Sequence, residues 1–179
     1  MLAIFLSLIK WLYFYLPNHY NIIGGSICWF VTKKNPAPIF TSFFKKCYTG
    51  HKEISEVFYV RFQNPSDYMI QTYLEMSKVI AVVGLSDREE TTSNRISKIM
   101  QELGYQIIPV NPKLAGQKIL GETAYARLQD IPISVDIVNV FRRSEFLPDV
   151  ARDFIETDAK IFWAQLELQS QEAEELLRA

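Results

Sequence analysis

The larger, C-terminal part of this 179-residue sequence has neither cysteine nor histidine. Both cysteines (Cys28 and Cys47) and both histidines (His19 and His51) lie before residue 64. Residues 64–179 therefore cannot form a Cys/His zinc site, or a nucleophile that uses histidine as its base. Two cysteines without a CxxC motif do not make a disulfide framework, and they weakly favour a reducing compartment.

Net charge is also nearly absent, at −1 with a pI near 6.1. This balance excludes a strongly basic nucleic-acid-binding protein. The average hides an asymmetry, because residues 1–63 contain seven Lys/Arg and two acidic residues, whereas residues 64–179 contain 12 basic and 18 acidic residues. The first 63 residues also hold 15 of the 24 aromatic residues. We therefore divide the chain into an apolar, basic N-terminal extension (1–63) and an acidic domain (64–179).

Long hydrophobic runs are missing from the extension. Residues 2–16 contain 13 apolar residues interrupted by Ser7 and Lys10, whereas a membrane-spanning helix needs roughly 20. No basic segment precedes this run and no small-residue cleavage site follows it, so a signal peptide fits poorly. Three interpretations stay open: translation that starts near Val60 or Met69, a membrane anchor within residues 1–31, and an aromatic-rich accessory subdomain. We expect the domain to be cytoplasmic, or to face the cytoplasm if the anchor is genuine.

The pattern of residues 64–179 predicts an α/β fold with a doubly wound, mainly parallel sheet. Residues 79–83 form a continuous apolar run, which is typical of a parallel strand covered on both faces. Further strands are predicted at 105–110, 135–141 and 159–165. Helices are predicted from Ser66 or Asp67, over 94–103, as one turn within 123–128, over 144–157 with Ser144 as its cap, and from Ser170 to Arg178. Ligands bind at the carboxyl ends of such strands, which are followed by segments 84–93, 111–113, 141–144 and 165–167.

The loop after the first of these strands is a candidate phosphate site, because it opens a helix whose amides and dipole favour anions. Gly84 permits close approach of the backbone. Hydroxyl or charged side chains near it can donate to phosphate, and they are Ser86, Arg88, Thr92, Ser93 and Arg95. Arg88 has the alternative of being a solvated loop residue among acidic neighbours.

The same loop disfavours NAD. A dinucleotide fingerprint requires GxGxxG and an acidic residue about 20 positions later, but the loop reads GLSDRE and the second strand ends in Val-Asn111-Pro112-Lys113. Lys113 stands where an NAD-binding protein would have the ribose-binding carboxylate. This positive charge favours a nucleotide that carries an additional phosphate. No GxxxxGK[ST] sequence supports ATP hydrolysis.

Two adjacent arginines follow the third strand, in the sequence Phe141-Arg142-Arg143. Two adjacent positive charges repel each other unless a negative charge lies nearby. That charge is either a bound anion or the carboxylate of Glu145 or Asp149, and the sequence leaves both open. Phe141 is either a stacking surface for a base or a pantetheine arm, or a part of the core.

Several motifs in order resemble the small bacterial CoA-binding domain proteins, which are similar to the nucleotide-binding domain of the succinyl-CoA ligase alpha subunit. The motifs are IAVVGLS, GYQIIPVNPK, ILGETAY, DIPISVDIVNVFRRSE and AKIFWAQLEL, and the resemblance covers about residues 66–178. It implies a Rossmann-like fold that binds CoA or an acyl-CoA. The diphosphate would lie on Gly84, Leu85 and Ser86, with the adenosine end near Asn111, Pro112 and Lys113. Phe141, Arg142 and Arg143 would line the cleft.

The sequence departs from that family in two places. Glu167 stands where the family usually has glycine after the W-x-Q-x segment. The chain also ends at Ala179, where the family continues into another strand. We therefore expect a sheet that lacks its last strand and leaves the fourth strand as a bare edge. Two interpretations stay open: a chain truncated by a frameshift or as a fragment, or a partner that covers the edge, such as a second copy in a homo-oligomer.

The resemblance favours a non-enzymatic domain that binds CoA or an acyl-CoA, with CoA as its small-molecule partner and no nucleic acid. One alternative is a subunit or remnant of a CoA-dependent ligase or acyltransferase. Another is an NAD(P)-type nucleotide-binding protein, and a third is an interaction module without ligand. Ligases of this resemblance use a phosphorylated histidine, and residues 64–179 contain none.

Overall fold

The computed structural model describes residues 29–32, 65–165 and 168–178. The strands are β1 (Trp29–Thr32), β2 (Val79–Val83), β3 (Gln106–Val110), β4 (Lys118–Ile119), β5 (Glu122–Thr123), β6 (Ile137–Val140) and β7 (Ile161–Ala164). The helices are α1 (Asp67–Met76), α2 (Thr92–Glu102), α3 (Leu147–Ile155) and α4 (Gln171–Arg178). Three short 3₁₀ turns span Pro112–Leu114, Leu128–Asp130 and Ser144–Phe146.

The main sheet has the strand order β1-β7-β6-β2-β3, and β4 and β5 form a separate hairpin. Strands β7, β6, β2 and β3 are mutually parallel. The chain passes from β2 to β3 on one side, and β6 pairs with β2 on the other. The switch point therefore lies between β2 and β6, whose carboxyl ends are in register because Val83 is opposite Val140. This topology confirms the predicted α/β class with a mainly parallel sheet.

Both faces of the sheet are buried. On one face Val138, Val140 and Phe162 pack with residues of α3 and α4. The rings of Phe154 and Phe162 are stacked edge-to-face, with their centres 5.4 Å apart. On the other face Ile80, Val82 and Ile107 pack with residues of α1 and α2. Coverage on both sides explains why the parallel strands are mostly apolar on both faces.

The expectation of a bare edge at β7 is wrong in this structure. Strand β1 pairs antiparallel with β7 over its whole length, from Trp29 opposite Ala164 to Thr32 opposite Ile161. The backbone groups on the outer side of β7 are thus bonded by a strand from the N-terminal extension. A homo-oligomer through that edge would have to displace β1.

The remaining residues of the proposed anchor, 1–28, lie outside the described residues. Within the described ranges, no helix is both long enough and apolar enough to cross a membrane. The division of the chain at residue 63 stays a prediction.

Three predicted boundaries are corrected. Helix α2 begins at Thr92, earlier than residue 94, because Thr91 caps it by accepting from the Asn94 amide at 3.4 Å. The turn expected within 123–128 lies at Leu128–Asp130 instead. Ser144 begins a 3₁₀ turn, and α3 starts only at Leu147 with Pro148 in its first turn. The Ser144 hydroxyl accepts from the Gln169 amide at 3.1 Å, so it ties this turn to the segment before α4.

Asp136 ties two strands together at the amino-terminal end of the sheet, opposite the candidate site. Its Oδ2 accepts from the backbone amides of Lys78 and Val79 at 2.9 and 3.1 Å, and its Oδ1 lies 3.2 Å from the Lys160 ammonium. Partial burial alone would raise the pKa of Asp136, but these hydrogen bonds and the Lys160 charge lower it below its ordinary value of 3.8.

Replacing Asp136 with asparagine is expected to lower the free energy of unfolding by about 1–2 kcal/mol near neutral pH, since one charge-assisted acceptor is lost. A lowered folded-state pKa gives stability that is complete above the unfolded pKa and is lost as pH falls through the folded value. The difference between wild type and Asp136→Asn should therefore shrink as the pH falls below 3.8. Urea unfolding at several pH values measures it. Asp149→Asn, which removes an exposed partner of Arg152, should change stability by less than about 0.5 kcal/mol; equal effects would contradict the account.

Candidate functional site

Gly84 occupies a tight position where β2 ends between its two neighbouring strands. Its φ is +88°, and its amide donates to the carbonyl of Val110 at the end of β3 at 2.8 Å. On the other side, a Cβ at this position would lie 2.4 Å from the carbonyl oxygen of Phe141. The backbone at the switch point can therefore take this path only with glycine.

The backbone of the loop that follows Gly84 is hydrogen-bonded by the side chain of Asn111, directly after β3, and by side chains of α2. The Asn111 side-chain amide donates to the Leu85 carbonyl at 2.9 Å, and the Asn94 side-chain amide donates to the Ser86 carbonyl at 2.9 Å. The Ser93 hydroxyl accepts from the Ser86 amide at 3.3 Å. The conformation of residues 84–86 is thus held by hydrogen bonds within the protein. Asn94, which is 3% exposed, was not predicted, although a small polar residue in a first helical turn is a usual sign of such a contact.

The amino end of α2 opens from the same loop. Thr91 caps the helix, and its hydroxyl also donates to the Arg88 carbonyl at 2.8 Å. An 11-residue helix places a partial positive charge at this end. Ser93 lies in the first turn of the helix, close to the loop, and is 7% exposed; its role in binding phosphate stays a prediction.

The two adjacent arginines have different surroundings. Arg142 is half-buried, its guanidinium lies 4.7 Å from the centre of the Phe146 ring, and its Cδ would be 3.0 Å from a Cβ on Gly84. The Arg143 side chain is 85% exposed and lies 3.7 Å from Glu145. The ion-pair alternative thus describes Arg143, whereas Arg142 lies beside the Gly84 loop.

The other predicted residues divide into buried and exposed groups. Leu85 is fully buried and Phe141 is half-buried, and both belong to the core cluster under α1 and α2. Pro112 starts a 3₁₀ turn in which the Lys113 amide donates to Asn111 Oδ1 at 3.1 Å. Arg88, Arg95 and Lys113 are exposed around the loop. Among the described residues, no group of three or more His, Cys, Asp or Glu side chains is placed to hold a metal ion.

A buried amide pair lies beneath the ends of β6 and β7. Asn139 is fully buried, and its Oδ1 accepts from the side-chain amide of Gln165, which is 7% exposed. The sequence places Gln165 at a strand end but predicts no role for either residue. Leu166 and Glu167, which follow, lie outside the described residues. The effect of having Glu167 where the family usually has glycine therefore stays a prediction.

A family model described as "CoA binding domain" matches residues 78–179. The chain belongs to this CoA-binding domain family. The match confirms the resemblance found in the motifs. It also covers every strand-end residue described above, from Gly84 to Gln165, so the Rossmann-like fold of the family contains the whole candidate site.

Relatives of this CoA-binding domain include the "Uncharacterized protein YneT" of Bacillus subtilis (strain 168), which is 54% identical over 116 residues, covering 65% of this chain and 84% of that protein. The solved structure of cell-free ID.343 from Thermus thermophilus is 31% identical with a TM-score of 0.61, covering 64% of this chain and 85% of that one. A hypothetical protein from Pyrococcus horikoshii OT3 is 32% identical with a TM-score of 0.51, covering 53% and 66%.

Proposed function

We propose that this domain binds CoA or an acyl-CoA at the carboxyl ends of β2, β3 and β6, and that it acts as a carrier, sensor or regulator without catalysing a reaction. The observation that carries the proposal is that the segment matched by the CoA-binding family supplies the tight Gly84 loop, the amino end of α2 and Arg142 at one place. These are the features that bind a diphosphate in doubly wound folds.

In the proposed complex the diphosphate lies on Gly84, Leu85 and Ser86. Leu85 contributes only its backbone, because its side chain is buried. Ser93 and Arg142 flank the diphosphate, and the exposed Arg88 and Arg95 supply long-range attraction that salt weakens.

The adenosine end lies near Asn111 and Pro112, where the exposed Lys113 meets the 3′-phosphate of CoA. Phe141 and Arg142 line the start of the path toward the pantetheine arm. Arg143 lies farther out, next to Glu145, and contributes less.

The composition of the domain supports a binding role. Residues 64–179 contain neither histidine nor cysteine, so the phosphorylated histidine that CoA-dependent ligases of this resemblance use would have to come from outside the domain. NAD is disfavoured because the strand that would supply a ribose-binding carboxylate is followed by Asn-Pro-Lys. A ligand that carries a free thiol suits a reducing compartment, and we therefore place the domain in the cytoplasm.

Thermal unfolding of the full chain with a ligand panel tests the proposal. A ligand at 100 times its Kd stabilises the native state by about 2.7 kcal/mol, which raises the Tm by several degrees for a domain of this size. We expect CoA and acetyl-CoA to raise the Tm at 1 mM or below, roughly the concentration that a micromolar Kd requires, and NAD to leave it unchanged. A shift with NAD or NADP but with neither CoA ligand would overturn the proposal.

A further inference from the structure

The side-chain amide nitrogen of Asn139 has no hydrogen-bond acceptor among the described residues. Asn139 lies within β6 and has no exposed surface. Its Oδ1 accepts from the side chain of Gln165, but its Nδ2 has no partner. Buried amide donors are nearly always bonded, because leaving one without an acceptor costs free energy. An unbonded amide in the middle of a parallel sheet therefore needs an explanation.

The strands beside Asn139 cannot supply the missing acceptor through their side chains. Asn139 is in register with Val82 on β2 and Trp163 on β7, and cross-strand neighbours share a face of the sheet. A valine side chain has no hydrogen-bonding group, and an indole has a donor but no acceptor. The acceptor for Asn139 Nδ2 has to come from elsewhere.

The amide pair is close to the proposed ligand. Gln165 directly follows β7, and Phe141, two residues beyond Asn139, lies at the end of β6 on the same face of the sheet. Parallel strands are about 4.8 Å apart, so β7 is about 10 Å from β2 and its Gly84 loop. A CoA molecule whose diphosphate lies on that loop extends its pantetheine arm over this distance.

We propose that Asn139 Nδ2 donates a hydrogen bond to a carbonyl oxygen of the pantetheine–acyl arm, and that Gln165 holds the Asn139 side chain in the orientation for it. This inference rests on the proposed function. A neutral amide among apolar residues suits a carbonyl, whereas a phosphate is better bound by the arginine and helix terminus at the loop. The carbonyl belongs either to a pantetheine amide or to the thioester.

Calorimetric titrations of the full chain with four ligands test the assignment. The ligands are adenosine 3′,5′-bisphosphate, which lacks the arm, CoA, acetyl-CoA and NAD. In the Asn139→Leu variant we expect the affinity for acetyl-CoA to fall about 5- to 100-fold, either alone or together with an equal fall for CoA. A loss for CoA alone would contradict the assignment, because acetyl-CoA contains every carbonyl of CoA. The affinity for adenosine 3′,5′-bisphosphate should stay within twofold of wild type.

The matched control is Gln101→Leu, which removes a side-chain amide that already donates to the Leu120 carbonyl at 3.0 Å, away from the strand ends. It should leave all affinities unchanged. An equal loss for CoA and acetyl-CoA in Asn139→Leu assigns the pantetheine carbonyl, and a loss for acetyl-CoA alone assigns the thioester. Unchanged affinity for both overturns the inference while the proposed function stands. If the wild type binds NAD and none of the other three ligands, the proposed function itself fails.

A second measurement applies if Asn139→Leu does not fold. In the wild-type chain labelled with ¹⁵N, the side-chain NH₂ signals of Asn139 should shift when CoA or acetyl-CoA is added and stay in place with adenosine 3′,5′-bisphosphate. The side-chain signals of Gln101 should not move with any of them. Asn139 signals that are unmoved by both saturating CoA ligands would overturn the inference.

Discussion

Replacing Gly84 with alanine is expected to lower the free energy of unfolding by about 2–5 kcal/mol. A left-handed φ costs an L-residue about 1–2 kcal/mol, and the forced contact adds the cost of overpacking, about 1–3 kcal/mol. The new methyl group would lie 2.4 Å from the Phe141 carbonyl oxygen, so β2 and β6 would have to separate at the switch point. Urea unfolding followed by circular dichroism measures the change.

Gly116→Ala is the matched control. Gly116 has a similar φ of +82°, but a Cβ there would have no neighbour within 4 Å. Gly116→Ala should therefore lower the free energy of unfolding only by the backbone strain, about 1–2 kcal/mol. Equal losses at the two positions would show that the ends of β2 and β6 tolerate a side chain, which would contradict the tight junction described for Gly84.

Replacing Arg142 with alanine is expected to weaken CoA binding about 10- to 100-fold, because a charge-assisted hydrogen bond contributes about 1.5–3 kcal/mol. Its half-buried position against Phe146 and beside Gly84 would keep the guanidinium near the proposed diphosphate position at little entropic cost. Isothermal titration at two salt concentrations gives the affinity and its electrostatic share.

Arg143→Ala serves as the control for Arg142→Ala, because Arg143 has the same charge at the next position but is exposed beside Glu145. Its loss should change the affinity less than about threefold, since exposed charges are screened. If Arg143→Ala weakened CoA binding as much as Arg142→Ala, the assignment of the inner arginine to the ligand would be wrong.

Much of the fold could be predicted from local sequence patterns. The apolar run Val79–Val83 ends at a glycine, and this pattern alone predicts a buried parallel strand followed by a candidate ligand loop. Ser66 and Ser170 cap α1 and α4 as predicted, through bonds of 3.3 Å to the amides of Met69 and Ala173. Local signals of this kind need no knowledge of the tertiary structure.

Features that depend on distant residues could not be predicted. Strand β1 pairs with β7 across more than 100 residues of sequence, and nothing in Trp29–Thr32 specifies that partner. The contact between Asn139 and Gln165 joins positions 26 residues apart. Arg142 and Arg143 look equivalent in sequence, but in the structure Arg142 lies beside Gly84 and the Phe146 ring, whereas Arg143 is exposed beside Glu145. In each case the tertiary arrangement decides the role of the residue.

The most direct test of the account is a crystal structure of the full chain with CoA bound. We predict the diphosphate within hydrogen-bonding distance of the backbone of Gly84–Ser86 and of the Arg142 guanidinium. The adenosine should lie against Asn111, Pro112 and Lys113. CoA bound elsewhere, with residues 84–86 making no contact to its phosphates, would contradict the central claim that the strand ends at the switch point form the CoA site.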